Sequence, residues 1–319
     1  MKPRVLVTRR LLPGAMAFLK EHAEVEGGTD RQGYSRPDLK KKIRDKDGLL
    51  SLLVDRIDRE IIGAAPRLRM IANCAVGVDN IDLQAARERG ILVSNTPGVL
   101  TEATADLTWA LILAAARKIP QADRFIREGR FLGWELDLFL GKEISGRRLG
   151  IIGLGRIGQA VARRAAGFGM EIIYHDPHRL PAETETGLRA AWLPLDELLR
   201  TADVVTVHAA LGPSTAHLLT AEKLGLMKHD AILVNVARGQ IIDEAALAAA
   251  LGNGKLGAAG LDVYEREPEI DRRLLALDNV VLLPHIGSAT RETRLAMAMA
   301  AARNLVQGLR GERPDNLVE

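Results

Sequence analysis

The sequence predicts an α/β protein made of two domains with parallel sheets, and three observations support this prediction. The chain has 319 residues, more than a single hydrophobic core usually includes. Short apolar runs alternate with amphipathic segments, and the connections between them are short, as in parallel α/β sheets. A glycine-rich turn joins one apolar run to the helix that follows it.

The first part of the chain predicts one parallel sheet with helices between its strands. The expected strands are residues 5–7, 48–54, 70–75 and 91–94. The expected helical segments are residues 13–21, 39–44, 57–65 and 83–89. The turn-forming residues 95–98 break this alternation, so we expect a domain boundary there.

A helix rich in Ala and Leu follows this boundary at residues 101–117, and a second helix ends near residue 130. Apolar residues cover most of the circumference of the first helix. We therefore expect it to be buried, either between domains or between subunits.

Residues 149–176 follow the order strand, glycine-rich turn, helix, strand and acid. Gly153, Gly155 and Gly158 have the spacing G-x-G-x-x-G, and Asp176 follows the second strand. In this order Gly153 allows a tight turn, Gly155 lets the backbone approach a pyrophosphate, and Gly158 lets the helix pack close to the strand. The N-terminus of the helix then faces the phosphates, so the segment predicts a dinucleotide site.

Further strands and helices alternate after this segment. The strands are expected at residues 203–207, 231–235, 258–262 and 280–283, and the helices at 194–201, 220–226 and 243–251. With the two strands of the glycine-rich segment the count is six, the number in a full dinucleotide-binding fold. One more helix is expected at residues 289–309.

Composition excludes several classes of function. The net charge is +3 and the basic residues are mixed with acidic ones, which does not suggest a nucleic-acid partner. Cys74 is the single cysteine, so we expect neither an intrachain disulfide nor a cysteine-rich metal site, and we predict no metal ligands elsewhere in the chain. No signal-peptide core begins the chain, and the longest apolar run, residues 107–116, is far below the roughly 18 residues that span a bilayer. We expect a cytoplasmic protein without a membrane partner.

Three polar residues, Arg238, Glu267 and His285, each follow one of the last three strands, at the sheet edge where ligands bind. An arginine can bind and polarise an anionic α-keto group through paired donors. A histidine can donate a proton to the forming alkoxide while hydride arrives from a nicotinamide. A carboxylate can orient the imidazole and keep it protonated near neutral pH. Together they predict reduction of a carbonyl.

Position alone leaves alternatives open for two of these roles. Glu265 competes with Glu267 as the carboxylate, although Pro268 favours an extended, fixed conformation at Glu267. His208, after the strand at 203–207, competes with His285 as the acid. His217 and His229 are interpreted as surface residues.

Six stretches of the chain resemble the D-2-hydroxyacid dehydrogenase family, and most of all its glyoxylate/hydroxypyruvate reductases. They are VGVDNID (76–82), NTPGVLTEATADL (95–107), LGIIGLGRIGQ (149–159), VNVARGQIIDEAAL (234–247), GLDVYEREP (260–268) and LPHIGSAT (283–290). The resemblance covers nearly the whole length of the chain.

The resemblance implies that Arg238 binds the substrate carboxylate and carbonyl, that Glu267 pairs with the histidine, and that His285 is the general acid/base. Further substrate contacts are implied at Leu53, Val76, Gly77 and Ser288, with the backbone N–H groups of residues 76 and 77 holding the carboxylate. The implied cofactor contacts are Thr104, Gly153, Gly155, Arg156, Ile157, Gly158, Asp176, His208, Pro213, Val236, Ala237, Asp262 and Gly287. Ala210 and Gly212 stand where the family usually has Pro and Thr, which weakens the contacts implied for that loop.

The resemblance also implies how domains and subunits are arranged. A Rossmann domain with a doubly wound parallel sheet, residues 99–288, is expected to bind the cofactor. It is expected to be inserted in a smaller flavodoxin-like α/β substrate domain, residues 1–98 plus 289–319. The implied homodimer forms around the helices at 101–130, where Trp134 either caps a neighbouring subunit's substrate site or packs at the interface without touching substrate.

Asp176 predicts NAD(H) rather than NADP(H) as the cofactor. A carboxylate accepts a hydrogen bond from a ribose 2′-hydroxyl but repels a 2′-phosphate. His178 and Arg179 follow within three residues and soften this preference.

Three functions remain open at this point. The first is NAD(H)-dependent reduction of glyoxylate or hydroxypyruvate to the D-2-hydroxyacid, in a pocket where Leu53 suits a small side chain. The second is the same chemistry on another D-2-hydroxyacid, such as D-lactate or D-3-phosphoglycerate. The third is an NADH-sensing binding protein of the corepressor type, which shares the fold and the three polar residues.

Overall fold

The computed structural model describes residues 2–318 and divides them between two compact units. One unit is formed by Met1–Leu100 together with Ser288–Glu319, and the other by Thr101–Gly287. The boundaries expected from the sequence, 98/99 and 288/289, lie two residues and one residue from these positions.

Strands and helices alternate along the chain. The strands are β1 (Arg4–Val7), β2 (Glu24–Gly27), β3 (Gly48–Leu52), β4 (Met70–Cys74), β5 (Leu92–Ser94), β6 (Arg148–Ile152), β7 (Glu171–His175), β8 (Ala190–Trp192), β9 (Val204–Val207), β10 (Ile232–Asn235), β11 (Ala258–Leu261) and β12 (Val280–Leu282). The helices are α1 (Pro13–His22), α2 (Arg36–Lys42), α3 (Arg59–Gly63), α4 (Leu83–Glu88), α5 (Thr101–Ala116), α6 (Ile119–Arg127), α7 (Arg156–Ala165), α8 (Ala182–Leu188), α9 (Leu195–Thr201), α10 (Ala221–Gly225), α11 (Glu244–Gly252), α12 (Arg272–Leu275) and α13 (Arg291–Leu309).

The first unit contains a five-stranded parallel sheet in the order β2-β1-β3-β4-β5, which is the flavodoxin order. The inner strands β1, β3 and β4 are buried on both faces. Val5, Leu50 and Met70 pack with helices α1 and α13 on one side of the sheet, while Leu6 and Ile71 join a second core on the other side. The strand β2 was missed by the sequence analysis, because EVEG at the sheet edge shows little apolar periodicity.

The second unit contains a seven-stranded parallel sheet in the order β12-β11-β10-β9-β6-β7-β8. Strands β6 and β9 lie side by side and run parallel. Successive strands are added in one direction from β6 to β8 and in the opposite direction from β9 to β12. This is the switch point of a doubly wound Rossmann sheet, where ligands bind at the carboxyl ends of the strands. The expected count of six strands was wrong by one, since the three-residue edge strand β8 also pairs with β7.

Helix α5 is buried, but within its own unit. It packs on α7 and on strands β10, β11 and β12, and a Cβ atom built at Gly260 of β11 would already lie 3.0 Å from Leu111 of α5. The expectation that α5 is buried between domains or subunits is corrected accordingly. By contrast, the residues of the next helix, α6, are all exposed or half-buried.

Within residues 2–318, the helices are all too short or too polar to cross a lipid bilayer.

Candidate active site

The glycine-rich turn between β6 and α7 has the geometry that a bound pyrophosphate requires. Gly153 has a φ of +87°, and a Cβ atom there would lie 2.6 Å from the backbone nitrogen of Ala209. A Cβ atom at Gly158 would collide with the carbonyl oxygen of Gly153. At Gly155, the N-cap of α7, a Cβ atom would meet no described atom within 4 Å. Gly153 and Gly158 are therefore required by close packing, and Gly155 leaves room for a ligand.

Two cofactor residues implied by the resemblance, Arg156 and Ile157, form the first turn of α7. Arg156 is exposed and Ile157 is half-buried. Helix α7 has ten residues, and the partial positive charge at its N-terminus favours a phosphate next to Gly155.

Asp176 directly follows β7 and is hydrogen bonded to the glycine-rich turn. Its Oδ2 accepts a hydrogen bond from the backbone N–H of Leu154 at 3.1 Å, and its Oδ1 accepts one from the backbone N–H of His178 at 3.0 Å. These bonds fix the carboxylate beside the turn, at the position where a ribose hydroxyl is bound in this fold.

Glu267 and His285 are hydrogen bonded at the carboxyl edge of the second sheet. His285 Nδ1 lies 2.8 Å from Glu267 Oε2, and the backbone N–H of Tyr264 donates to Oε1 of the same carboxylate at 3.0 Å. Burial raises the pKa of Glu267, but the hydrogen bond and charge of His285, together with the charge of Arg238, outweigh burial and lower that pKa. The carboxylate therefore stays ionised beside the imidazole.

Arg238 lies on a loop that packs against the loop of Glu267. Asn235, at the end of β10, accepts from the backbone N–H of Ala237 at 3.0 Å and donates to the carbonyl of Arg238 at 2.9 Å. A Cβ atom at the next residue, Gly239, would overlap the backbone of Tyr264. The absence of a side chain at Gly239 therefore lets the two loops approach each other.

The loop of His285 is held by Asp262, one residue beyond β11. The Asp262 oxygens accept hydrogen bonds from the backbone N–H groups of Ile286 and Gly287, both at 2.7 Å. His285 itself has a φ of +54°, a strained conformation for a residue other than glycine. Burial raises the pKa of Asp262, and the two hydrogen bonds lessen that rise.

Thr104 of α5 lies close to this loop. A Cβ atom at Gly287 would be 3.3 Å from Asp262 Oδ2 and 3.6 Å from Thr104 Oγ1. The structure therefore brings Thr104, Asp262 and Gly287 together. Val236 and Ala237, also implied as cofactor contacts, directly follow β10.

His208 follows β9, and its position argues against the acid role left open above. Its ring nitrogens are buried, and neither has a hydrogen-bond partner within residues 2–318. Burial lowers the pKa of His208 to about 3, so the imidazole is neutral near pH 7 and has no proton to donate as an imidazolium. A buried, unpaired ring next to the glycine-rich turn fits a contact with a cofactor. Pro213, in the same connection, is exposed.

Glu265, the second open alternative, has a different partner from Glu267. Its Oε1 lies 3.3 Å from His217 Nε2, and its backbone N–H donates to Glu244 at 2.8 Å. Glu265 is thus tied to the start of α11, and His217 is not merely a solvated surface residue.

The predicted substrate residues of the first unit follow adjacent strands. Leu53 comes directly after β3, and Val76 and Gly77 lie in the loop after β4. Ser288 begins the C-terminal segment of the same unit and precedes helix α13.

Two asparagines that the sequence analysis missed hold the loop of Val76 and Gly77. Asn95 donates to the carbonyl of Val76 at 2.7 Å, and Asn73 donates to the carbonyl of Gly77 at 2.9 Å. The carbonyl of Ala75 also accepts a hydrogen bond, from a backbone N–H. In a trans peptide the N–H points away from the carbonyl of the preceding residue. The N–H of Val76 therefore points away from the donor on Ala75, and the N–H of Gly77 points away from Asn95. An asparagine inside the apolar run MIANC was the signal that could have identified Asn73.

Residues 2–318 contain no cluster of three His, Cys, Asp or Glu side chains arranged to hold a metal ion.

Comparison with known proteins gives consistent matches over the whole chain. A model of the D-isomer specific 2-hydroxyacid dehydrogenase, NAD binding domain, matches residues 109–287. A glyoxylate reductase from Thermococcus onnurineus (strain NA1) is 50% identical over 322 residues, which cover 100% of this chain and 96% of that protein. The crystal structure of a Thermus thermophilus protein is similar with a TM-score of 0.92 and 46% identity, covering 99% of this chain and 100% of that one.

A second solved structure includes a cofactor. It is an NADPH-dependent glyoxylate/hydroxypyruvate reductase from Sinorhizobium meliloti in complex with NADP and malonate. The similarity has a TM-score of 0.87 and 35% identity, and it covers 100% of this chain and 97% of that one.

Proposed function

The chain belongs to the D-isomer-specific 2-hydroxyacid dehydrogenase family, and on this premise we propose that it reduces a small 2-oxoacid, glyoxylate or hydroxypyruvate, to the D-2-hydroxyacid. The proposal rests above all on the 2.8 Å pair of Glu267 and His285, which lies in the same unit as the glycine-rich turn. Relatives about half identical over the full chain are glyoxylate reductases, which supports this substrate class.

Three side chains divide the proposed reaction. Arg238 binds the carboxylate and carbonyl of the 2-oxoacid and polarises the carbonyl. The bound nicotinamide supplies the hydride. His285, whose Nδ1 is engaged by Glu267, donates the proton on Nε2 to the oxygen that becomes the hydroxyl.

The substrate carboxylate is proposed to accept hydrogen bonds from the backbone N–H groups of Val76 and Gly77. This assignment is supported by the hydrogen bonds to the carbonyls of the two peptide groups concerned: the backbone N–H of Thr96 donates to Ala75, and Asn95 donates to Val76. Asn95 is then a positioning residue, because it orients the peptide that carries the N–H of Gly77 without touching the substrate, and Asn73 holds the following peptide of the loop. Leu53 and Ser288 are proposed as further substrate contacts.

We propose NAD(H) as the preferred cofactor. The Asp176 carboxylate, fixed by two backbone N–H groups, is suited to accept a hydrogen bond from a 2′-hydroxyl and repels a 2′-phosphate. Some relatives use NADPH, so the preference depends on residues near Asp176 rather than on the fold.

We also propose that the protein is a cytoplasmic homodimer. The single cysteine suits a reducing compartment. The dimer is supported by apolar side chains exposed on α6 and on the segment after it, including Ile126, Leu132 and Trp134.

The proposed function is tested by steady-state NADH oxidation with glyoxylate, hydroxypyruvate, pyruvate and phosphohydroxypyruvate side by side. We expect glyoxylate or hydroxypyruvate to give the highest kcat/KM. Inertness of both, with turnover of another 2-oxoacid, would contradict the substrate class. Negligible turnover of every 2-oxoacid, with NADH binding retained, would favour a dinucleotide-sensing binding protein instead.

A further inference from the structure

The loop that follows Asp176 contains an arginine whose guanidinium is held by a glutamate. Arg179 donates from Nε to Glu185 Oε1 and from Nη2 to Glu185 Oε2, both at 2.9 Å. This is a bidentate pair, the geometry in which a guanidinium binds a carboxylate most strongly. In this geometry two of the donors that Arg179 could offer to a phosphate are engaged by Glu185.

Glu185 is itself fixed from the core side. The Tyr174 hydroxyl, on a fully buried side chain of β7, donates to Glu185 Oε1 at 2.6 Å and accepts from the backbone N–H of Leu180 at 2.9 Å. Only 11% of the Glu185 side chain is exposed, compared with 65% of the Arg179 side chain. Hydrogen bonds from Arg179 and then Tyr174 lower the pKa of Glu185 to about 2, so the carboxylate is ionised at every pH of interest. Glu185 is held in place by the buried Tyr174, and Arg179 is an exposed side chain held by Glu185.

An arginine close to the acid at the end of this strand is the group that accommodates a 2′-phosphate in NADP-binding Rossmann domains. Arg179 is three residues beyond Asp176, and the backbone N–H of the intervening His178 already bonds to the Asp176 carboxylate. The loop after Asp176 therefore contains a guanidinium, that of Arg179, that could bind a 2′-phosphate. The Glu185 carboxylate competes with the phosphate for it.

We propose that Glu185 is a cofactor-specificity residue, which withholds Arg179 from the 2′-phosphate of NADP(H) and so reinforces the choice of NAD(H). This inference rests on the proposed function to the extent that the glycine-rich turn must bind a nicotinamide dinucleotide. Asp176 selects the hydroxyl directly, while Glu185 acts through Arg179.

The test is the binding of NADH and NADPH, measured by cofactor fluorescence for the native protein and for Glu185→Gln. Glutamine keeps an oxygen that accepts from Tyr174 but removes the charge that captures Arg179. We expect the Kd of NADPH to fall about tenfold, the value of one charge-assisted hydrogen bond to a phosphate, while the Kd of NADH changes less than about twofold. Asp176→Ala is the positive control, since it removes the repulsion and also favours NADPH.

Further variants distinguish this role from simple stabilisation of α8. Adding Arg179→Gln to Glu185→Gln should abolish the gain in NADPH affinity, and Arg179→Gln alone should leave both affinities unchanged. A matched control is Glu171→Gln, which breaks the Arg148–Glu171 pair at the opposite end of β7 and should not change the ratio of the two Kd values.

Two results would overturn the proposal: an unchanged NADPH/NADH ratio in folded Glu185→Gln, or a several-fold loss of NADPH affinity in Arg179→Gln alone. The second result does not require Glu185→Gln to fold. Binding is measured without turnover, so a failure to reduce any 2-oxoacid would contradict the proposed function and leave this ratio interpretable.

Discussion

Glu267 orients His285 because both oxygens of its carboxylate are engaged. Oε1 accepts from the backbone N–H of Tyr264 and Oε2 meets His285 Nδ1, so the carboxylate cannot rotate without losing a hydrogen bond. With Nδ1 facing the carboxylate, Nε2 is the ring nitrogen left for the proposed proton transfer to the substrate. The low pKa of Glu267 means that the carboxylate stabilises a positively charged ring and does not take the proton itself.

We therefore expect His285→Asn to lower kcat for 2-oxoacid reduction by about 10²- to 10⁴-fold, the usual contribution of a general acid. NADH affinity should survive, since the implied cofactor contacts do not include this ring. Stopped-flow reduction and NADH fluorescence titration measure the two quantities separately. His229→Asn, at an exposed histidine of the same unit, is the control and should leave both unchanged. Loss of NADH binding together with activity would mean that His285 is mainly structural.

The sequence indicated which residue types follow each strand, but it could not decide between neighbours. Glu265 and Glu267 are two positions apart, and only the path of the loop after β11 turns one toward His217 and the other toward His285. Asn73 and Asn95 were missed for a similar reason: their function lies in hydrogen bonds to carbonyls, which leave no spacing pattern in the chain.

The loops after β10 and β11 depend on each other through one glycine. Arg238 precedes Gly239, and Gly239 packs directly on the backbone of Tyr264 and Glu265. Any side chain at Gly239 would push apart the loop that presents the arginine and the loop that presents Glu267. The geometry of the proposed site thus depends on a contact between two elements rather than on the charged residues alone.

We expect Gly239→Ala to lower the free energy of unfolding by about 1–3 kcal/mol, the usual cost of overpacking, and to lower kcat/KM for the 2-oxoacid as well. Urea denaturation and steady-state kinetics check the two effects. Gly225→Ala is the matched control in the same unit, because a Cβ atom there would meet no described atom within 4 Å. Equal stability and activity of the two variants would show that the loops tolerate separation.

Two of the four edge strands, β2 and β8, were missed by the sequence patterns, while the edge strands β5 and β12 were predicted to within a residue. The central strands β4, β6 and β10 are apolar runs buried on both faces and were predicted to within a residue or two. The edge strands β2 and β8 are short, and each pairs on one side only. Burial on both faces leaves a clear apolar signal, whereas β2 and β8 are defined mainly by their backbone pairing.

At the scale of the whole chain, both units place the proposed site residues after the carboxyl ends of parallel strands. In the first unit these residues follow β3 and β4, and in the second they follow β6, β7 and β9 to β12. The topology of each sheet therefore collects residues far apart in sequence, which is why strand order predicted Arg238, Glu267 and His285 at one edge while leaving Glu265 and His208 as alternatives.

The folded chain leaves several large apolar side chains of α6 and of the segment after it exposed to solvent. Leu132 is 95% exposed, and Phe131 and Trp134 nearby are also exposed. Monomeric proteins rarely leave so many large apolar side chains together in water. We therefore expect a dimer in solution, with twice the 34.7 kDa mass of one chain, when light scattering is combined with size-exclusion chromatography.

Ile126→Asp should convert this dimer to a monomer, because it places a charge among these side chains, at a site half exposed in the single chain. Leu275→Asp is the matched control, since Leu275 is a comparably exposed leucine on α12, outside this surface. A native protein that elutes as a monomer at micromolar concentration, or a dimer that resists Ile126→Asp, would contradict the proposed subunit contact. If dissociation also lowers activity, the apolar surface contributes to the site and not only to assembly, and Trp134 is then the first side chain to replace.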